Sequence, residues 1–121
     1  MERPNWNEYF MNIAREVASR ATCPRASVGA VVVRDNRILS TGYNGALPGE
    51  PHCTKVGCLM VDGHCERTVH AETNAVVQAA KFGIPLDGAT LYLWSNINIP
   101  SCGKCSQVMA TAGIIKVVNQ S

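Results

Sequence analysis

Residues 70–94 read HAETNAVVQAAKFGIPLDGATLYLW, and the punctuation of this stretch decides the fold. From 70 to 82 it consists mostly of strong helix formers, with Ala71, Ala75, Ala79 and Phe82 marking one side and Gly83 supplying a stop. Residues 89–94 then read as a buried strand. The same alternation continues downstream, with a short helix over 102–112 stopped by Gly113 and a final strand over 114–118. Upstream, Trp6, Phe10, Ile13 and Val17 recur at helical spacing and predict an amphipathic helix over 5–18, with Asn5 as its cap. The apolar run 28–33 is closed by Arg34-Asp35-Asn36-Arg37 and resumes over 38–41, a hairpin whose Asp-Asn turn is a weaker signal than Asn-Gly. The order αββ, loop, αβ, αβ predicts an α/β domain: a central mixed sheet with helices on both faces, its second half partly parallel and joined by right-handed crossovers.

At 121 residues the chain has room for one domain, and no repeat or low-complexity tract divides it. Hydrophobic residues make up 46% and charged residues 17%, which excludes a disordered chain and leaves enough uncharged surface to expect self-association. The net charge of +2 arises from 11 basic and 9 acidic side chains without a dense basic run, so no stripe for duplex nucleic acid is present. The opening MERPNWNEYF is polar and helical in pattern rather than a secretory signal, and no apolar stretch reaches the roughly 18 residues of a membrane helix. A cytoplasmic location is therefore expected. For six cysteines in such a chain, metal ligation is favoured over a disulfide framework, with ordinary buried thiols as the plain alternative.

Two short motifs carry chemistry. His70-Ala71-Glu72 opens one predicted helix and Cys102-Gly103-Lys104-Cys105 opens another. Residues three apart on a first helical turn share a side, so the sulfurs of Cys102 and Cys105 can reach one point. Where the two helix starts meet, one imidazole and two thiolates converge on a zinc ion and leave its fourth position to water, the ligand count of a catalytic site. Helix N-termini favour the thiolate forms. Glu72 enters the same pocket outside the ligand shell, placed to take a proton from that water and hand it to a ring nitrogen and then to departing ammonia. A lone C-x-x-C is also a redox pair or a structural knuckle, and a lone H-x-E means little. Together they match the signature of zinc deaminases.

Further elements extend the match: Cys23-Pro24-Arg25 with Val28-Gly29-Ala30-Val31, then Ser40-Thr41-Gly42-Tyr43-Asn44-Gly45 and Pro48-Gly49, then His52-Cys53, Gly57-Cys58, His64-Cys65 with Arg67-Thr68, and Asn74-Ala75 after the H-x-E. On these residues the chain resembles the deoxycytidylate (dCMP) deaminases of the cytidine deaminase superfamily, bacterial and phage type. The Gly-Tyr-Asn-Gly element points to the nucleotide monophosphate branch. The resemblance implies one deaminase domain over 1–121 with the cytidine deaminase-like three-layer fold, and hydrolysis of dCMP to dUMP and ammonia. It implies His70, Cys102 and Cys105 as catalytic zinc ligands and Glu72 as proton shuttle. Asn44 is carried over as the contact to the sugar hydroxyl, Arg25 to the 5′-phosphate and Ala71 to the substrate. Read without the family, Asn44 before Gly45 is a turn and Arg25 a surface arginine. The enzymes are typically homohexamers, and many are activated by dCTP, with which Mg2+ is expected, and inhibited by dTTP.

The irregular tract from 42 to 68, about 25 residues, is too long to be idle in a small domain and is expected to be disordered, functional or metal-stapled. By resemblance, Cys23 and Cys53 correspond to ligands of a second, structural zinc. Cys65 and Cys58 are the next candidates, with His64 as an alternative because imidazole is an equally good ligand. The chain departs from the family over 93–101, LWSNINIPS, which is several residues longer and puts Ser101 between Pro100 and Cys102. Trp94 or Ile97 is expected there against the base or at a subunit contact. Family members also run on into a further strand and helix, which this chain is expected to lack, leaving a sheet edge for a partner subunit. Other substrates consistent with the motifs are 5-methyl-dCMP, dCTP and cytidine. A non-catalytic zinc-binding relative of the competence type is a further reading, opposed by the intact Glu72. A single-strand editor lacks the basic and aromatic track it needs here.

Overall fold

The computed structural model describes residues 2–22, 26–46, 60–61, 64–65, 68–97 and 103–120. Helix α1 (Trp6–Ala18) starts where the sequence predicts: Asn5 Oδ1 accepts the Glu8 N–H at 2.8 Å, and its Nδ2 donates to the Glu8 carboxylate at 2.7 Å. The buried stripe is rotated from the predicted one. Phe10, Met11, Ala14 and Ala18 are buried, Ile13 and Val17 only partly so, and Trp6 is 52% exposed. Gly29 is the cause. A Cβ there would collide with the Ala14 carbonyl oxygen and stand 2.6 Å from the Ala18 nitrogen, so the helix rests directly on strand backbone through its small residues. Trp6 instead stacks on the outside of Phe10, ring centroids 5.6 Å apart.

Strands β1 (Val28–Arg34) and β2 (Arg37–Tyr43) form the expected hairpin. Asp35 and Asn36 both take positive φ, 54° and 58°, the pattern of a type I′ turn, which matches the twist of the flanking strands and which Asp and Asn tolerate. Val32 faces Ser40 while Val33 faces Ile38, leaving Leu39 as a bulge. Among the described residues, the tract read as irregular contains four two-residue strands, β3 (Gly45–Ala46), β4 (Met60–Val61), β5 (His64–Cys65) and β6 (Thr68–Val69), paired β3 with β6 and β4 with β5. Two residues are too few to show an alternation. Helix α2 (Ala71–Lys81), β7 (Thr90–Ser95), α3 (Gly103–Thr111) and β8 (Lys116–Gln120) complete the described elements.

The main sheet runs β2-β1-β7-β8, antiparallel except for the β7–β8 pair, and is mixed as predicted. Strand β1 is central and buried on both faces, which explains its unbroken apolar run. Ala30 and Val32, with Leu91 of β7, pack on Ala71, Ala75 and Ala79 of α2 and Met109 of α3, whereas Val31, Val33 and Tyr92 pack on α1. Three layers result.

Helices α2 and α3 end by the same device. Gly83 N–H bonds to the Ala80 carbonyl and Ile84 N–H to that of Ala79; Gly113 and Ile114 repeat this on Ala110 and Met109. Both glycines have positive φ, 69° and 96°, as a Schellman cap requires. Two sequence expectations shift as a result. Phe82 occupies the cap of α2 and is 68% exposed instead of continuing the Ala71, Ala75 and Ala79 side, and Ile114 belongs to the cap of α3, so β8 begins at Lys116.

On the face opposite α1, a Cβ on Gly42 would collide with the Ala75 nitrogen and stand 2.5 Å from the Ala71 oxygen. Ser40 Oγ donates to the Ala75 carbonyl at 2.7 Å and Asn74 Nδ2 to the Tyr43 carbonyl at 2.6 Å, seating the first turns of α2 on β2. Among the described residues no helix is long and apolar enough to cross a membrane. Gly42→Ala is expected to lower stability by about 1–3 kcal/mol through overpacking against backbone that cannot yield, seen as a lower urea midpoint at unchanged m value.

Candidate catalytic site

His70 is the N-cap residue of α2, with extended backbone (φ −67°, ψ 151°) and a side chain that takes no part in capping. Its Nδ1 lies 3.2 Å from the Sγ of Cys105, which sits in the first turn of α3 and is 2% exposed. The two helix starts therefore meet, as the motifs require. Thr73 Oγ1 lies 3.4 Å from the same sulfur. Cys102 lies outside the described residues, and among those described no group of three metal-ligating side chains converges. The pair fits two positions of one zinc ion on chemistry and spacing: imidazole nitrogen and thiolate sulfur are both zinc donors, and two such ligands on a tetrahedral ion stand roughly 3.5 Å apart.

Glu72, in the first turn of α2, is 8% exposed, and its carboxylate makes no hydrogen bond or ion pair among the described residues. The N-terminal end of the helix complements its negative charge. Ala71 is fully buried in the core cluster, so any substrate contact there falls to its backbone. Asn44 is buried at the break between β2 and β3 with its carboxamide engaged: Oδ1 accepts the Val28 N–H at 2.9 Å and Nδ2 donates to the Ala26 carbonyl at 2.8 Å. Its φ is not positive, so it is a bridge between chain segments rather than a left-handed turn residue. One N–H and further acceptor capacity of the amide remain beyond these two bonds.

Arg25, Cys23, Cys53 and Cys58 lie outside the described residues, and only the backbone of His64 and Cys65 is described, as strand β5. Trp94 projects into the α1 layer, with the Arg15 guanidinium 5.8 Å from its ring, and so turns away from α2 and α3; Ile97 is exposed. Sequence reasoning missed Thr73 and Asn96 and quoted Asn74 without giving it a role. Thr73 and Asn74 stand three and four residues after His70 on one helix face, a spacing that places them beside it. Asn96 Oδ1 accepts the Ser27 N–H at 2.9 Å while its own N–H donates to the Ser27 carbonyl at 3.1 Å, and no local pattern announces a partner so distant in the chain.

A helix start bearing H-x-E against a second bearing the last cysteine of C-x-x-C, over a mixed sheet, defines a zinc-dependent nucleobase deaminase fold. The chain belongs to this family: the cytidine and deoxycytidylate deaminase zinc-binding region matches residues 4–121. It is 51% identical over 114 residues to the ComE operon protein 2 of Bacillus subtilis (strain 168), covering 94% of this chain and 58% of that protein, so it spans a little over half of that relative. It is 40% identical over 129 residues to the deoxycytidylate deaminase of Mycobacterium phage D29, covering 98% of this chain and 96% of the phage protein. The crystal structure of the dCMP deaminase from cyanophage S-TIM5 in complex with dCMP and dUMP is similar at a TM-score of 0.79 and 33% identity, over 98% of this chain and 83% of that one.

Asn44→Ala strips the Val28 N–H of its acceptor and the Ala26 carbonyl of its donor. The expected loss is about 1–3 kcal/mol, measured by urea unfolding and compared with an exposed Ala substitution at Gln107.

Proposed function

We propose that this chain hydrolyses dCMP to dUMP and ammonia, with a zinc ion held by His70, Cys102 and Cys105. The observation that carries the reading is the approach of His70 Nδ1 to Cys105 Sγ at 3.2 Å beside a buried Glu72. When bound, the ion supplies an activated water at its open position. The Glu72 carboxylate carries one proton of the attacking water to N3 of the cytosine ring and then the second to the 4-amino group, which leaves as ammonia as the C4–N bond breaks and the C4 carbonyl forms. Burial keeps that transfer out of bulk water. Asn44 holds the entry to β1 and presents its remaining amide capacity to the sugar hydroxyl; Arg25 pairs with the 5′-phosphate, and the Ala71 backbone closes on the base. The phage relative of nearly equal length and the cyanophage complex with dCMP and dUMP support this substrate over cytidine, dCTP or 5-methyl-dCMP.

The same reading includes a second, structural zinc on Cys23, Cys53, Cys65 and Cys58, with His64 as the alternative ligand. It also includes a cytoplasmic homohexamer responsive to dCTP with Mg2+. A non-catalytic zinc-binding role of the competence type is the second reading, raised by the operon after which the 51% identical ComE operon protein 2 is named and opposed by Glu72.

Ammonia release from dCMP, cytidine, dCTP and 5-methyl-dCMP by the zinc-loaded protein tests this directly. dCMP is expected to turn over fastest, and Glu72→Gln to lower that rate at least about 100-fold with zinc content unchanged. A zinc-loaded protein that deaminates none of the four overturns the proposal.

A further inference from the structure

We infer that Thr73 is a positioning residue for the metal: its hydroxyl donates to the Cys105 sulfur and sets how strongly that thiolate binds the ion. The inference rests on the proposed zinc site and adds to it a residue outside both motifs. The Oγ1–Sγ separation of 3.4 Å is a normal hydrogen-bond distance for sulfur. A metal-bound thiolate carries no proton, so the hydroxyl is the donor. Thr73 stands one turn after His70, and the helix that delivers the imidazole delivers this donor on the same side. Threonine hydroxyls in helices commonly turn back to a carbonyl three or four residues earlier. Thr73 instead bonds across to α3, and it makes no other hydrogen bond among the described residues.

The chemistry gives the contact its consequence. Cys105 is 2% exposed, so solvent does little to balance the charge of its thiolate. A hydroxyl pointed at the sulfur lowers the energy of its lone pairs and fixes its direction. A zinc ion held by Cys105 would then receive less electron density and would polarise a ligand at its open position more strongly. Valine has the same shape and no proton to give.

Cobalt-substituted wild type, Thr73→Val, Thr73→Ala and Thr73→Ser test this through the sulfur-to-cobalt charge-transfer band, with zinc affinity measured by chelator competition and kcat and KM for dCMP alongside. In Thr73→Val and Thr73→Ala the band is expected to move to lower energy, zinc affinity to fall about tenfold, and kcat to drop at unchanged KM. Thr73→Ser is expected to restore all three. A band and an affinity that stay at wild-type values in both Val and Ala variants overturn the inference, as does a failure of Ser to restore them, which would assign the effect to the methyl group. A wild type without any sulfur-to-cobalt band overturns the zinc site itself and this inference with it, so the two failures are told apart by the wild-type spectrum.

Discussion

The backbone of α2 occupies the space where a side chain on Gly42 would begin, and the placement of the reactive groups on α2 depends on that contact. A helix normally stands off a sheet by the thickness of two side-chain layers. Here Ala71 and Ala75 meet strand backbone, and Ser40 and Asn74 tie the two elements by hydrogen bonds that fix the height and rotation of the helix. His70, Glu72 and Thr73 inherit their positions from that seat. Gly29 provides the equivalent seat for α1 on the other face, so the molecule is a thin sheet clasped by helices at two points without side chains.

The end of the sheet that carries the site is finished by asparagines. Asn74 holds the Tyr43 carbonyl, Asn44 joins the segment before β1 to the end of β2, and Asn96 joins Ser27 to the end of β7. Asn44 supplies a donor and an acceptor in the manner of a peptide group, Asn74 supplies a donor and Asn96 an acceptor beside its own backbone N–H, which lets the ladder continue where the strands themselves part. Loops can leave the sheet there without abandoning buried backbone groups. The cost of removing one such amide is therefore the desolvation of its orphaned partners more than the loss of one bond.

Much of the fold was legible because its elements obey simple periodicities: the apolar run of β1, the alanine side of α2, the glycine stops at 83 and 113. The errors share a physical origin. Helical periodicity in α1 marked Trp6, because hydrophobicity was read without knowing that Gly29 invites small residues to the contact. The cap geometry that claims Ile114 and expels Phe82 depends on hydrogen bonds one residue beyond the helix, where apolar character is no guide. At the candidate site, the approach of His70 to Cys105 beside Glu72 was legible from motif spacing, since both motifs open helices. Asn96 was not, since its partner lies on another strand and its role is carried by shape rather than composition.

Both tryptophans lie on the same side of the sheet. Trp6 is stacked on Phe10 at the surface of α1, and Trp94 lies in the same layer beneath Arg15, while the layer of α2 and α3 that carries the site contains none. The chain is therefore optically one-sided. Its intrinsic fluorescence reports the face of the sheet that α1 covers, opposite the face on which α2 and α3 pack, so emission and the candidate site belong to two different layers of the same domain.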